Sequence, residues 1–139
     1  MVDQERLARI VARILRDLAE LRDTAGGPPL GEDGVRLRAV KYGFITTIEG
    51  CVRAAQHVVS SEGLAVPETN AEAVRALGRA GMIDSELANR VARAVGFRNV
   101  LVHEYAEVDD QRVVANLELL DDIEQFARAV AALALPPGT

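Results

Sequence analysis

Tryptophan is absent from the chain, and aromatic residues make up only 4% of its 139 positions. A core with so little aromatic volume must come from aliphatic side chains, and the prevalence of Ala, Val, Leu, Arg and Glu predicts that helices supply them. The expected class is all-α. Only one cysteine is present, Cys51, so no intrachain disulfide can form. Positive charge is also short: the formal balance is −5 and the sequence pI is near 5.1. This balance argues against broad, sequence-independent attraction to nucleic acid, so any RNA contact has to be local. No N-terminal segment has the apolar run of a signal peptide or the length of a membrane span, which predicts a soluble, cytoplasmic protein. The length suits one domain over residues 1–139, large enough for a single apolar core.

What is there is helical periodicity. Leu7, Ile10, Val11, Ile14, Leu18 and Leu21 form one stripe, predicting a first helix over 3–23. "GGPPLGED" (26–33) breaks it. Leu37, Val40, Phe44, Ile48, Cys51, Ala55 and Val58 recur at three- and four-residue steps, predicting a second helix over about 34–61, some 40 Å long. Thr69 and Glu72 have the spacing of a capping box and should open a third, running to Arg79. Asp84 or Ser85 caps a fourth, whose apolar face runs from Leu87 through Leu101. Val113, Leu117, Leu120, Phe126 and Val130 predict one closing helix, ended by "LPPGT". The economical architecture is a four- to five-helix up-and-down bundle.

Function concentrates in "RNVLVHEY" (98–105). There the chain places one of its two histidines and one of its two tyrosines within three residues. Arg98 offers a permanently charged fork suited to phosphate, and His103 carries the side-chain type that exchanges a proton near neutrality. Asn99 and His103 are four apart, on one helical face, so the amide can orient the ring or donate to a phosphate oxygen. Arg98 and His103 lie roughly 140° apart around an ideal helix. Three routes bring them together: the helix ends near Val102, the arginine wraps around, or two copies of the chain share the site. Cleaving RNA through its own 2′-hydroxyl needs both a base and an acid, and a two-fold dimer would supply two histidines.

The block "GFRNVLVHEY" resembles the RX4HXY motif of HepT-like toxins in the HEPN superfamily, with Arg98, Asn99, His103 and Tyr105 at matching positions. The layout is similar as well, from the leading helix through "IEGCVRAAQHVV", Pro67 and "ALGRAGMID" to the closing helix. The resemblance implies a helical dimer whose two motifs meet in a composite, metal-independent endoribonuclease site. In it Arg98 stabilises phosphate charge, His103 transfers protons and Asn99 supports them. It also implies a partner nucleotidyltransferase antitoxin of the MntA type that transfers AMP units to Tyr105, blocking RNA sterically and electrostatically. The alternative function is a non-enzymatic acceptor and docking subunit of that nucleotidyltransferase, with the Arg/His cluster binding nucleotide.

Elsewhere the plain readings prevail. His57 has no metal ligand beside it and is structural or exposed. Glu104, Glu107, Asp109 and Asp110 suit the N-terminus of the following helix. Cys51 is a small core residue. No cofactor or metal is expected. Glu49 and Tyr42, on the second helix, could face the motif across the bundle.

Overall fold

Asp3 lies just ahead of the first apolar stripe, and its carboxylate accepts from the Arg6 backbone N–H at 3.0 Å, fixing the start of a helix. In the computed structural model, which describes residues 3–134, this helix is α1, Gln4–Ala25. A 3₁₀ turn, Leu30–Glu32, follows and buries Leu30. Asp33 then caps α2, Gly34–Ser61, accepting from the N–H groups of Val35 and Arg36. The remaining helices are α3, Asn70–Arg79; α4, Ser85–His103; α5, Asp110–Ala115; and α6, Leu119–Leu133. No strand is present among the described residues, so the all-helical expectation holds.

The central element is α2, which packs against α1, α3, α4 and α6. Two glycines set how closely α1 approaches. A Cβ at Gly43 would lie 2.9 Å from Leu21 Cδ1, and one at Gly50 would lie 2.8 Å from Ile14 Cγ1, so neither position tolerates a side chain without displacement. These pairings run in opposite directions along the two helices, which makes α1 and α2 an antiparallel pair. Arg36 secures its corner: its guanidinium donates to the carbonyls of Thr24, Gly26 and Pro28, satisfying groups left open at the end of α1.

Phe44 of α2 and Phe97 of α4 meet edge to face, with centroids 5.2 Å apart and planes at 89°, placing scarce aromatic volume at the α2/α4 contact. Phe126 fills the core from α6. At the rim, Arg22 bridges α1 to Asp121 and Glu124 of α6, and Arg90 of α4 reaches Asp122 at 3.0 Å. The Arg22 and Arg128 guanidinium groups hold the Glu124 carboxyl below its ordinary pKa.

Two expectations need correction. The closing helix is not continuous: α5 gives way to a 3₁₀ turn, Asn116–Glu118, before α6 begins. The Asn116 side chain donates to the Arg112 carbonyl at 2.8 Å, competing for a backbone acceptor. The tighter turn resets the phase and brings Leu120, Ile123, Phe126 and Val130 onto the core. At α3, Thr69 accepts from the Glu72 N–H at 3.1 Å as expected, but the Glu72 carboxylate turns forward to Arg75 and Arg79 instead of back to the cap. "LPPGT", read as the stop signal of the last helix, lies outside the described residues.

Candidate functional site

The site is built on the last two turns of α4. The Asp84 carboxylate accepts from the Leu87 N–H and sets the register, after which Leu87, Val91, Ala94, Val95, Phe97 and Leu101 are buried. Arg98 follows the last aromatic anchor and emerges at the edge of the α2/α4 contact. Its Nη2 donates to Glu49 Oε1 at 2.7 Å and its Nη1 to Asn99 Oδ1 at 3.0 Å. The Arg98 side chain is 21% exposed, so this charge-assisted pair is partly sheltered from water. Arg98 Nε is buried with no acceptor among the described residues, an unsatisfied donor that costs stability. Glu49, placed on sequence grounds across from the motif, is indeed the carboxylate that meets it.

His103 is the final residue of α4 and exposed, and its ring makes no hydrogen bond to another described residue. α4 ends at His103, one residue past Val102, so the helix does end near Val102 as the first route expected, with His103 still in its last turn. In this structure the Arg98 guanidinium is engaged by Glu49 of α2 and by Asn99, and no hydrogen bond joins it to His103. Both residues lie on α4, where ideal helix geometry sets Arg98 and His103 of one chain roughly 140° apart. Asn99 shares a face with His103, but its carbonyl oxygen serves Arg98 and the amide does not hold the ring.

Tyr105 lies just beyond the helix, in a turn closed by Glu107 and Val108 N–H groups donating to the Glu104 carbonyl. Val108 is buried and anchors the turn, and Asp109 caps α5 by accepting from the Arg112 N–H, as its place ahead of a helix implied. The Tyr105 hydroxyl donates to the Arg38 carbonyl at 3.2 Å, and the residue keeps 36% of its surface exposed. Beneath it lies Lys41, which the sequence reading missed. Its ammonium donates to the Tyr105 carbonyl at 3.0 Å and sits 5.1 Å from the phenol ring centroid, although the residue is only 6% exposed. One signal was available: Lys41 falls between Val40 and Phe44, and a cation there has to find a partner.

The other readings resolve simply. Cys51 is fully buried, and burial pushes its thiol up to about 12, the behaviour of an inert core residue. His57 is half-buried with Nε2 3.4 Å from Ser61 Oγ. No group of three or more His, Cys, Asp or Glu among the described residues is arranged to hold a metal. No described helix is long and apolar enough to cross a membrane. The chemistry on offer is thus a sheltered guanidinium, a free imidazole at a helix end and a tethered phenol, all borne by α4 and the turn after it.

The sequence profile of the family described as Ribonuclease HepT-like matches residues 13–130. The mRNA nuclease HepT of Shewanella oneidensis is 26% identical over 124 residues, which cover 88% of this chain and 93% of its own. A relative from Archaeoglobus fulgidus is 30% identical over 115 residues, covering 83% of this chain and 82% of its own. Among solved structures, the tri-AMPylated Shewanella oneidensis HEPN toxin in complex with MNT antitoxin superimposes with a TM-score of 0.83 at 25% identity, covering 95% of this chain and 99% of the other. The chain belongs to the HepT-like family.

Proposed function

From membership of that family we propose that the chain, as one cytoplasmic domain over residues 1–139, is the toxin of a toxin–antitoxin pair and cleaves RNA without a metal. Two copies contribute Arg98 and His103 to one cleft. One imidazole takes the proton of a ribose 2′-hydroxyl, whose oxygen attacks the adjacent phosphorus to give a 2′,3′-cyclic phosphate. The other imidazole protonates the departing 5′-oxygen. Arg98 neutralises charge growing on the phosphate, and Asn99 holds its outer edge. What supports this reading is that Arg98 and His103 sit five residues apart on α4, roughly 140° around an ideal helix, with the Arg98 guanidinium turned to Glu49 of α2, so that a second chain would supply the missing half.

The same reading assigns the off switch to Tyr105. A partner nucleotidyltransferase of the MntA type would direct the phenolic oxygen onto the α-phosphorus of ATP. A Tyr–O–P bond forms, pyrophosphate leaves and the phenolic proton passes to solvent. The added phosphates at the end of α4 repel the RNA backbone and fill the space over His103. The half-exposed, tethered phenol suits an acceptor, and it equally favours the second reading, in which the chain is only the acceptor and docking subunit of that nucleotidyltransferase.

Purified, unmodified protein in chelator separates the two. The ribonuclease reading expects RNA breakdown that His103→Ala abolishes, and growth arrest on expression without the partner. Intact RNA together with a phenotype that survives His103→Ala supports the acceptor reading instead. Incubation with partner and ATP is expected to add nucleotide mass to the Tyr105 peptide, and its absence contradicts both acceptor roles.

A further inference from the structure

The chain carries fifteen arginines and one lysine. Five of the arginines, Arg6, Arg9, Arg13 and Arg16 of α1 and Arg53 of α2, line one open groove of about 950 Å³ beside His57, and no carboxylate lines it. Arg9 and Arg13 have carboxylate neighbours at 3.5 and 3.9 Å, whereas Arg6, Arg16 and Arg53 form no ion pair among the described residues. In a chain of net charge −5 this is a concentrated positive strip. It is a product of the fold, because the close approach at Gly43 and Gly50 sets the arginine face of α1 beside that of α2.

The strip also leads somewhere. Arg13 and Arg53 line a second, adjoining cleft together with Tyr42, Thr46 and the carboxylates of Asp17 and Glu49. Glu49 is the partner of Arg98, so the two clefts together follow the α1/α2 seam to the edge of the α4 site, positive along Arg6 to Arg16 and mixed in charge beside Tyr42. Tyr42 is 66% exposed beside this path, a large aromatic face left in water. A line of guanidinium groups with an open aromatic ring along it is the arrangement that holds single-stranded nucleic acid, charge tracking the phosphates and the ring stacking on a base. Arg6 to Arg16 spans about 15 Å of helix, enough for several nucleotides.

We infer that the α1/α2 seam is the binding track for the single-stranded RNA flanking the scissile phosphate, with Arg6, Arg16 and Arg53 on its backbone and Tyr42 under one of its bases. The track rests on the ribonuclease reading, which makes RNA the ligand, yet its test does not require cleavage. A labelled 2′-O-methyl oligoribonucleotide lacks the nucleophile and stays intact, so its binding is read directly by fluorescence anisotropy across a salt series.

For wild type, log affinity should fall with log salt. In the Arg6→Gln, Arg16→Gln, Arg53→Gln triple variant the slope should shrink by about 2, three phosphates at ~0.7 each, and affinity should drop with it. Tyr42→Ala should lose about tenfold in affinity with the slope unchanged. All four side chains are exposed, and circular dichroism is expected to show an intact fold. A triple variant with wild-type slope and affinity overturns the track even if the protein cleaves RNA. So does a triple variant that keeps RNA binding but loses complex formation with the nucleotidyltransferase, which would assign the seam to a protein. Protein that cleaves nothing but shows the reduced slope in the variant retains the track and removes the ribonuclease reading alone.

Discussion

Replacing Lys41 by Met removes the ammonium beneath Tyr105 while keeping most of the side-chain volume. The lost hydrogen bond to the Tyr105 carbonyl, 3.0 Å long and charge-assisted, is of the kind that contributes about 1.5–3 kcal/mol. The cation over the phenol ring adds about 0.5–1 kcal/mol. Against this stands the relief of no longer burying an ammonium in a residue only 6% exposed, so the global loss should be about 1 kcal/mol, a fall in Tm of about 3–5 °C. The local loss should be larger, because the 104–109 turn has few other tethers: the carbonyl of Glu104, the Tyr105 hydroxyl and the Val108 side chain. Hydrogen exchange is therefore expected to lose about tenfold or more protection at the Glu107 and Val108 amides while the middle of α2 changes only by the global amount. Nucleotide transfer to Tyr105 should slow in step. Unchanged protection in the turn together with an unchanged transfer rate would refute the assignment of Lys41 as the residue that positions the phenol.

Other outcomes follow from the packing. Phe44→Ala removes one ring of the 5.2 Å pair from a fully buried site and should cost about 3–5 kcal/mol, read as a lowered urea midpoint. Cys51, with its thiol pushed up to about 12, should react with a thiol reagent at pH 8 only as fast as the bundle opens, and rapid labelling of the native protein would contradict its core role. Glu124 is held below its unfolded pKa by Arg22 and Arg128, so its contribution is present above the unfolded value and lost as pH falls through the lower folded one. Glu124→Gln should accordingly flatten the acid limb of a stability-against-pH profile.

The elements with strong local punctuation were legible in the sequence. The apolar steps from Leu37 to Val58 marked α2, which spans Gly34–Ser61, Thr69 caps α3 as read, and of the two candidates Asp84 and Ser85 it is Asp84 that caps α4. The break between α5 and α6 was not legible, because an Asn at 116 in an otherwise periodic stretch costs too little by itself to signal a 3₁₀ turn. At the site, the Arg98–Glu49 approach was foreseen as a possibility of facing helices. The hold of Lys41 on Tyr105 was not, since it joins residues 64 apart. The arginine groove escaped for a similar reason. Net charge averages over the surface, whereas the close α1/α2 contact gathers five cations from two segments that look ordinary one at a time.

The central claim is that two chains complete one RNA-cleaving site, each giving an imidazole. Mixing wild type with His103→Ala, unfolding and refolding together, and assaying RNA cleavage in chelator tests it most directly. In an equal mixture only dimers with two intact chains should work, so activity should fall to about one quarter of wild type and follow the square of the wild-type fraction. A linear dependence, with about one half remaining in the equal mixture, would mean that each chain acts alone and would contradict the account.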